Sequence, residues 1–331
     1  MSSLTIKANF QINYTIQLIF LLFVFLNFSA VFASEPIKLA LSKTPLSLPV
    51  YIASHEGFFN DEGIQVDVEE VIGGKRSMQM LLDGKADLST SSEAVVMFTS
   101  YKSEDIAVVG SFVTTMHDVK VVTRDGLTEV SQLTEKRIAT LPGSASHYYL
   151  DTLALLNGVD PQSFKLTNMQ PEKMPEALAR NEVDAVAIWQ PYAYWSERKV
   201  KDSHVLDDKG FYTLSFTLIS SRKLINENSK SLEKILKAIE KSVHFIKTQP
   251  KRAKLYLKDW LKLENDYIEW MWGRYNYRLE LTQSLITTLE SESRWAKLGG
   301  YVAPESSPNY LEFIHTEPLR NVNSSLVNII E

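Results

Sequence analysis

The sequence has 331 residues and a net charge of −5, with 40 acidic and 35 basic side chains, and it contains no cysteine. A chain of this length can bury a large core, and its slight acidic excess argues against a nucleic-acid partner, which would require a basic surface. Without cysteine, an exported form cannot use disulfides, and it cannot be lipid-anchored through a cysteine at a cleavage site.

Residues 1–33 have the order of a secretory signal peptide. A weakly basic leader precedes an apolar run at 18–28, and small residues follow it up to Ala33. The run is shorter than the roughly 20 residues that a membrane-spanning helix needs. We therefore predict cleavage after Ala33 and release into the periplasm. An uncleaved anchor is the alternative.

Strand and helix patterns alternate along the rest of the chain. Strands are predicted at 37–42, 64–71, 86–89, 106–112 and 119–123, and helices at 46–59, 77–82, 93–101 and 127–133. At Arg137 the pattern restarts, with strands at 137–140, 164–168 and 183–189 and helices from Ser144 and at 174–180. This order predicts an α/β fold of two lobes, each with a mainly parallel sheet flanked by helices.

The two lobes are predicted to be discontinuous in sequence. Residues 212–220 alternate between apolar and polar side chains and indicate a strand that returns to the first lobe. We assign residues 34–122 and 216–331 to lobe 1 and residues 123–215 to lobe 2. Residues 230–299 are predicted to be helical, with helices at 232–248, 250–261 and 266–278 and more after Leu281.

One candidate binding segment is the helix that opens with Ser144, Ala145, Ser146 and His147 after a turn through Pro142 and Gly143. A helix start carries unpaired N–H groups and the positive end of the helix dipole, so it can hold a small anion. An ordinary serine N-cap explains the same residues.

A second candidate is the strand-to-helix turn at Ser91, Ser92 and Glu93. Glu93 could lie in a cleft and attract an amine, or it could simply complement the dipole of the helix that it begins. If both the anion site and a cleft carboxylate exist, the ligand would be zwitterionic or rich in hydrogen-bond donors.

The third candidate is Trp189, Gln190, Pro191 and Tyr192, where an apolar strand ends. Aromatic rings beside a rigid loop at a strand end are typical of a binding slot, although a packed strand end would also use them. The later aromatic residues between Tyr256 and Tyr277 have helical spacing, which favours a core position.

Several enzyme signatures are missing from the sequence. No dinucleotide, P-loop, nucleophile-elbow or zinc-protease motif is present, and no histidine pair has metal-binding spacing. We therefore predict no cofactor, no metal site and no catalytic residue.

The ordered motifs resemble those of a known family. The segments are Leu48-Pro49-Val50-Tyr51-Ile52-Ala53, Glu56-Gly57-Phe58-Phe59, Leu82-Asp83-Gly84-Lys85-Ala86-Asp87-Leu88, Leu141 to Tyr148, and Val183 to Tyr192. Together they are similar to the periplasmic substrate-binding proteins of nitrate, sulfonate and taurine ABC transporters, the NMT1- and SsuA-like group. Thiamin-pyrimidine synthesis in a related fold uses a cysteine-rich segment, which this chain lacks.

The resemblance implies a type II periplasmic-binding fold, with a ligand cleft between the lobes and hinge closure on the ligand. By the family pattern, the ligand contacts are Thr44, Pro45, Leu46, Ser91, Ser92, Glu93, Ser144, Ser146, His147, Trp189, Gln190 and Tyr192. Many relatives carry an acidic residue where this chain has Gln190, which implies a different ligand from the best-known sulfonate and taurine binders.

We therefore expect a monomeric, periplasmic solute-binding protein rather than an enzyme. It would capture a small polar organic solute and present it to an inner-membrane ABC permease. The alternatives are an exported enzyme of the same fold and a ligand sensor that acts in trans.

Overall fold

The computed structural model describes residues 35–206, 210–305 and 307–330. Within them the strands are β1 Ile37–Ser42, β2 Val66–Val71, β3 Leu88–Ser92, β4 Ile106–Thr115, β5 Val119–Thr123, β6 Arg137–Thr140, β7 Lys165–Asn168, β8 Ala185–Trp189, β9 His204–Val205, β10 Leu214–Ser221, β11 Asn276–Thr282 and β12 Val327–Asn328. The predicted signal peptide, residues 1–33, lies outside the described residues.

The α-helices of the same residues are α1 Leu48–His55, α2 Phe58–Asp61, α3 Gly74–Leu82, α4 Glu93–Ser100, α5 Ala145–Leu156, α6 Met174–Ala179, α7 Tyr192–Lys199, α8 Arg222–Thr248, α9 Pro250–Leu261, α10 Asn265–Trp272, α11 Gln283–Leu298 and α12 Glu317–Val322. Among the residues described, none of these helices is both long and apolar enough to cross a membrane.

The strands form two sheets, which confirms the predicted two-sheet α/β fold. In the part of the chain that is described, the first sheet has the order β12-β11-β4-β10-β3-β1-β2 and the second has the order β7-β6-β8-β5-β9. We call the first sheet with its helices the first lobe and the second sheet with its helices the second lobe. The limits predicted for the lobes, 34–122 with 216–331 and 123–215, stay predictions, and β5 pairs within the second sheet.

Both sheets are more mixed than the predicted mainly parallel arrangement. Strands β1, β2 and β3 pair in parallel, whereas β10 pairs antiparallel with both β3 and β4. In the second sheet β6 pairs in parallel with β7 and β8, and β5 pairs antiparallel with β8. The chain passes from the first sheet to the second between β4 and β5, and it returns between β9 and β10. Each antiparallel pair includes one of these four strands. A strand that arrives from the other lobe enters its sheet without a βαβ crossover, so it is free to pair antiparallel.

The second sheet has apolar side chains on both faces, and β8 shows how its sequence produces this. Successive side chains of a strand point to opposite faces. Ala185 and Ala187 join the large core that both lobes share, while Val186 and Ile188 join a smaller core with Met174 on the other face. A continuous apolar run is therefore required at this strand, and the sequence AVAIW supplies it.

Residues 230–299 depart from the prediction that this whole segment is helical. The chain leaves α10 at Trp272 and forms strand β11, which pairs antiparallel with β4. Tyr277, Leu279 and Leu281 are buried on one face of β11, while Asn276 and Arg278 are exposed. The helical spacing of the aromatic residues concealed this period-two alternation, so the predicted helix at 266–278 is wrong beyond Trp272.

Candidate functional site

A narrow crevice lies between the two sheets, and the 380 Å³ of non-atom space within it includes space that is open to solvent. The first lobe contributes residues at the ends of β1 and β3, and the second lobe contributes the start of α5 and the end of β8. Strand ends and helix starts meet here because each βα connection in a parallel arrangement turns at the same edge of its sheet. The crevice thus joins the helix start and the strand end that the sequence singled out.

Ser144 lies at the N-cap position of α5 and lines the crevice with Ala145. Its hydroxyl makes no capping hydrogen bond; it donates to the Leu141 carbonyl at 2.6 Å and lies 2.9 Å from the hydroxyl of Ser146. The ordinary capping role that the sequence left open is therefore not how this serine is used. The first N–H groups of a helix have no partner within it, so this end of α5 can donate to an anion.

Lys75 brings a positive charge to the rim of the same crevice. The residue follows the Gly73-Gly74 turn, and its ammonium donates to the Pro142 carbonyl of the second lobe at 2.7 Å. Desolvation lowers the pKa of Lys75, and the nearby charge of Lys102 lowers it further. An anion beside the ammonium would oppose both effects, since an opposite charge favours the ionised form. Sequence reasoning missed this residue, although a lysine directly after a Gly-Gly turn was a usable signal.

Asp118 is the acidic residue of the crevice. It precedes β5 in the short link after β4, and its side chain is 1% exposed. One carboxyl oxygen, Oδ1, accepts a hydrogen bond from the Tyr275 hydroxyl at 2.8 Å, and the other, Oδ2, has no partner among the described residues. Burial raises the pKa of Asp118 to about 7, against the lowering influence of Tyr275 and Lys120.

Apolar side chains form much of the remaining wall. Leu46, Val95, Leu214 and Phe216 come from the first lobe, and Trp189 comes from the second. A Cβ added at Gly73 would lie 3.3 Å from the ring of Trp189, so the glycine lets the two lobes approach at this ring. This mixture of apolar walls and a few polar groups is typical of a small-molecule site.

The structure brings five of the predicted contact residues to the crevice. They are Thr44, Leu46, Ser92, Ser144 and Trp189. The other seven are buried but do not line it: Pro45, Ser91, Glu93, Ser146, His147, Gln190 and Tyr192. The predicted segments are therefore placed together, while only some of their side chains reach the space.

Glu93 is engaged inside the protein. It is fully buried, and its carboxylate accepts hydrogen bonds from the Tyr212 hydroxyl and, at 2.9 Å, from the backbone N–H of Ser215. Burial raises the pKa of Glu93 above its usual range. Of the two roles that the sequence left open for Glu93, a carboxylate lining the cleft is not the one seen; Asp118 lines the crevice, and sequence reasoning missed it. A lone charged residue between two apolar strands was its only signal.

Two other predicted residues, Gln190 and His147, are buried without lining the crevice. Gln190 is buried, and its amide oxygen accepts from the backbone N–H of Tyr194 at 3.1 Å. His147 is buried, and burial lowers its pKa to about 4, with a further contribution from the charge of Lys75. His147 is therefore neutral near pH 7 and contributes no positive charge to the site.

Polar contacts bridge the two lobes on several sides of the crevice. Arg76 of α3 donates to Gln170 at 2.9 Å and to Glu172 at 2.8 Å, both in the second lobe. On another side, Asp151 of α5 accepts from the indole of Trp295 at 3.1 Å and from the Tyr301 hydroxyl at 2.8 Å. The lobes are thus held close together around the crevice. Among the described residues, no group of three or more metal-ligating side chains is present.

Comparison with known proteins agrees with this architecture. The family model described as NMT1/THI5 like matches residues 44–253. This chain belongs to the NMT1/THI5 like family. A candidate aliphatic sulfonates-binding protein of Bacillus subtilis (strain 168) is 24% identical over 229 residues, which are 67% of this chain and 69% of that protein. A candidate binding protein of Brucella abortus (strain 2308) is 20% identical over 225 residues, covering 66% and 69%.

Solved structures of sulfonate-binding proteins share the fold of this family member. The periplasmic aliphatic sulphonate binding protein SsuA from Escherichia coli has a TM-score of 0.73 and 16% identity, covering 85% of this chain and 92% of that chain. SsuA from Xanthomonas axonopodis pv. citri bound to MOPS has a TM-score of 0.74 and 16% identity, covering 86% and 100%. The desulfurization enzyme DSZB also shares the fold, with a TM-score of 0.62, 13% identity and coverage of 87% and 99%.

Proposed function

We propose that this protein is the exported solute-binding component of an ABC importer. It captures a small polar organic anion, sulfonate-like or related, in the interlobe crevice and delivers it to an inner-membrane permease. The observation that carries this proposal is the crevice itself, in which the Lys75 ammonium and the start of α5 at Ser144 meet between two lobes. Both features favour negative charge. The names of the curated relatives, which are binding proteins, support a binding role.

The contacts of the serine at the helix start favour binding over acyl transfer. A nucleophilic serine needs an adjacent general base. The Ser144 hydroxyl donates to the Leu141 carbonyl and approaches the Ser146 hydroxyl, and neither group is such a base. The enzyme DSZB shares the fold, and a cysteine-to-serine variant of it has been solved with biphenyl-2-sulfinic acid. The present chain contains no cysteine.

Replacing the crevice lysine tests the anion site. We expect the Lys75→Met variant to bind its anionic ligand at least about tenfold more weakly, because a charge-assisted contact contributes about 1.5–3 kcal/mol. A thermal-shift screen of small sulfonates, carboxylates, heterocycles and amines identifies the ligand, since a ligand bound only by the folded state raises the melting temperature. Titration calorimetry then compares the two proteins.

Lys102→Met is the matched control, because Lys102 is exposed and lies close to Lys75 without lining the crevice. Its affinity should stay within about twofold of the parent protein. No stabilisation by any solute, or equal effects of the two substitutions, would contradict the proposed binding site. Recovery of the ligand in altered form would favour the enzyme alternative.

Removing an interlobe contact tests closure on the ligand. We expect Arg76→Ala to weaken ligand binding by up to about fivefold, because exposed ion pairs contribute about 0.2–1 kcal/mol and this one joins the lobes. Arg137→Ala removes a comparable pair, with Asp184, inside the second lobe. Calorimetry should show no change in affinity for this control, and an equal loss in both variants would argue against closure.

A further inference from the structure

A row of basic side chains follows the outside of α8 and α9. Residues 230–262 contain ten lysine or arginine residues and three acidic ones, whereas the rest of the chain holds the remaining 25 of its 35 basic residues and 37 of its 40 acidic residues. Both helices bury their apolar sides in the large core, and they are adjacent, since the Arg252 guanidinium lies 4.9 Å from the ring centre of Phe245. We call the basic face the lysines on their outer sides that make no ion pair within the described residues: Lys230, Lys237, Lys247, Lys251, Lys258 and Lys262.

Acidic neighbours neutralise only part of the positive charge of this segment. Three of its other cations form ion pairs with carboxylates of neighbouring elements: Lys241 with Glu62, Arg252 with Glu56, and Lys254 with Glu269. Five lysines of the basic face are exposed, and Lys258 is half-buried. Like charges in such an array repel one another, and an anionic partner relieves the repulsion. The basic face thus carries an excess of positive charge on a chain that is acidic elsewhere.

An exposed leucine lies in the α9 part of the basic face. Leu255 is 57% exposed, and it lies one helical turn from Lys251 and Lys258 and two turns from Lys262. A single exposed leucine is ordinary by itself. A leucine surrounded by lysines is typical of a surface that binds an anionic bilayer, because the ammonium groups meet the lipid phosphates while the apolar side chain enters the headgroup region.

The spread and the kind of the charges favour a membrane over a compact anionic partner. Lys230 and Lys247 lie on one helix at a separation of about 25 Å, and the lysines continue from Lys251 onto α9. A small anion would contact one or two of them, whereas a flat charged surface attracts them all. All six are lysines, whose charge acts at a point, whereas arginine is preferred where paired hydrogen bonds recognise a carboxylate or phosphate.

We propose that the basic face binds the surface of an anionic phospholipid membrane, with Leu255 entering the headgroup region. This role goes beyond the proposed function and does not involve the crevice, because none of these residues lines it. If the protein delivers its solute to a permease, the same contact raises its concentration at the membrane that holds the permease.

Sedimentation with phospholipid vesicles tests the proposal on the mature protein, purified after export. It should bind vesicles that contain about one third phosphatidylglycerol in phosphatidylcholine at about 50 mM salt, and at least about tenfold more weakly at about 500 mM, because salt screens the attraction. Vesicles of phosphatidylcholine alone should not bind it. The triple variant Lys247→Gln, Lys251→Gln, Lys258→Gln should bind the anionic vesicles at least about tenfold more weakly, since each lysine near such a surface contributes about fivefold in affinity. Leu255→Gln should weaken binding by about threefold or more.

A charge-matched control removes three exposed lysines from other elements: Lys85→Gln, Lys173→Gln and Lys201→Gln. It should bind the anionic vesicles within about twofold of the parent protein, because these positions lie away from α8 and α9. Equal losses in the two triple variants, equal binding to neutral vesicles, or no binding at low salt would each overturn the proposal. Solute affinity and melting temperature should be unchanged in all variants. Failure of vesicle binding therefore leaves the solute-binding function standing, and failure of the solute screen leaves vesicle binding standing.

Discussion

Gly74→Ala should lower the free energy of unfolding by about 1–3 kcal/mol, which is the usual cost of forcing extra atoms into a packed site. A Cβ built on Gly74 would overlap the Oγ of Ser91 and lie 3.0 Å from its Cα. The hydroxyl could rotate away, but the Cα belongs to β3, so the start of α3 would have to move from the sheet. Because Lys75 is the next residue, we also expect weaker ligand binding. Urea unfolding and calorimetry measure the two effects.

Gly273→Ala is the matched control for this substitution. A Cβ at Gly273 meets nothing within 4 Å, and its backbone lies outside the positive-φ region. Its free energy of unfolding should stay within about 0.5 kcal/mol of the parent value. The double variant Gly74→Ala, Ser91→Ala should recover part of the loss, since it removes one of the overlapping atoms. A neutral Gly74→Ala would show that α3 can shift without cost.

Glu292→Gln should stabilise the protein at alkaline pH and have little effect near pH 4. Glu292 on α11 is fully buried, and neither of its carboxyl oxygens accepts a hydrogen bond within the described residues. The hydroxyl of Tyr212 lies nearby, but it donates its proton to Glu93. Burial raises the pKa of Glu292 well above its usual range, and the neighbouring Glu93 raises it further.

The sign of the pH effect follows from this raised pKa. In the unfolded chain Glu292 loses its proton near pH 4.3, whereas in the folded protein it keeps the proton to a higher pH. The folded state therefore binds more protons above pH 4.3, and the free energy of unfolding falls as pH rises through that window. Glutamine does not titrate, so by pH 8 the variant should be more stable by about 1–3 kcal/mol.

Thermal unfolding of both proteins between pH 4 and pH 9 checks this expectation. A gain of this size would raise the melting temperature by several degrees. Glu290→Gln, an exposed position on the same helix, should show no difference that grows with pH. A constant difference between Glu292→Gln and the parent protein across the range would mean that Glu292 is not held protonated by the fold.

Much of the fold could be predicted from the sequence because local patterns agree with the tertiary structure there. The predicted strand at 37–42 is β1, and the predicted strand at 119–123 is β5. Both segments are short, contain residues that favour strands, and are bounded by turn residues, and such a pattern is rarely compatible with a helix. The opening of α5 after Pro142 and Gly143 was also predictable, because a positive φ at Gly143 supplies the turn that its sequence indicated.

Strand β11 shows where the local residue pattern was insufficient to distinguish a strand from a helix. Its segment contains aromatic residues at both helical and strand spacing, and only pairing with β4 decides between them. Burial of Tyr277 and Leu279 against the first lobe requires partners that are more than 160 residues away in sequence. Tertiary packing overrides local propensity in such cases.

The sequence by itself determined the two-sheet α/β architecture, the family, and the segments that meet in the crevice, because these depend on periodicity and on turn residues close together in the chain. The tertiary structure alone decided which charged side chains face that space. Glu93 is satisfied by Tyr212, 119 residues away, whereas Asp118 keeps one oxygen without a partner among the described residues and Lys75 reaches across to the second lobe. The physical reason is that hydrogen-bond satisfaction and burial depend on distant partners, and no local pattern of residues encodes them.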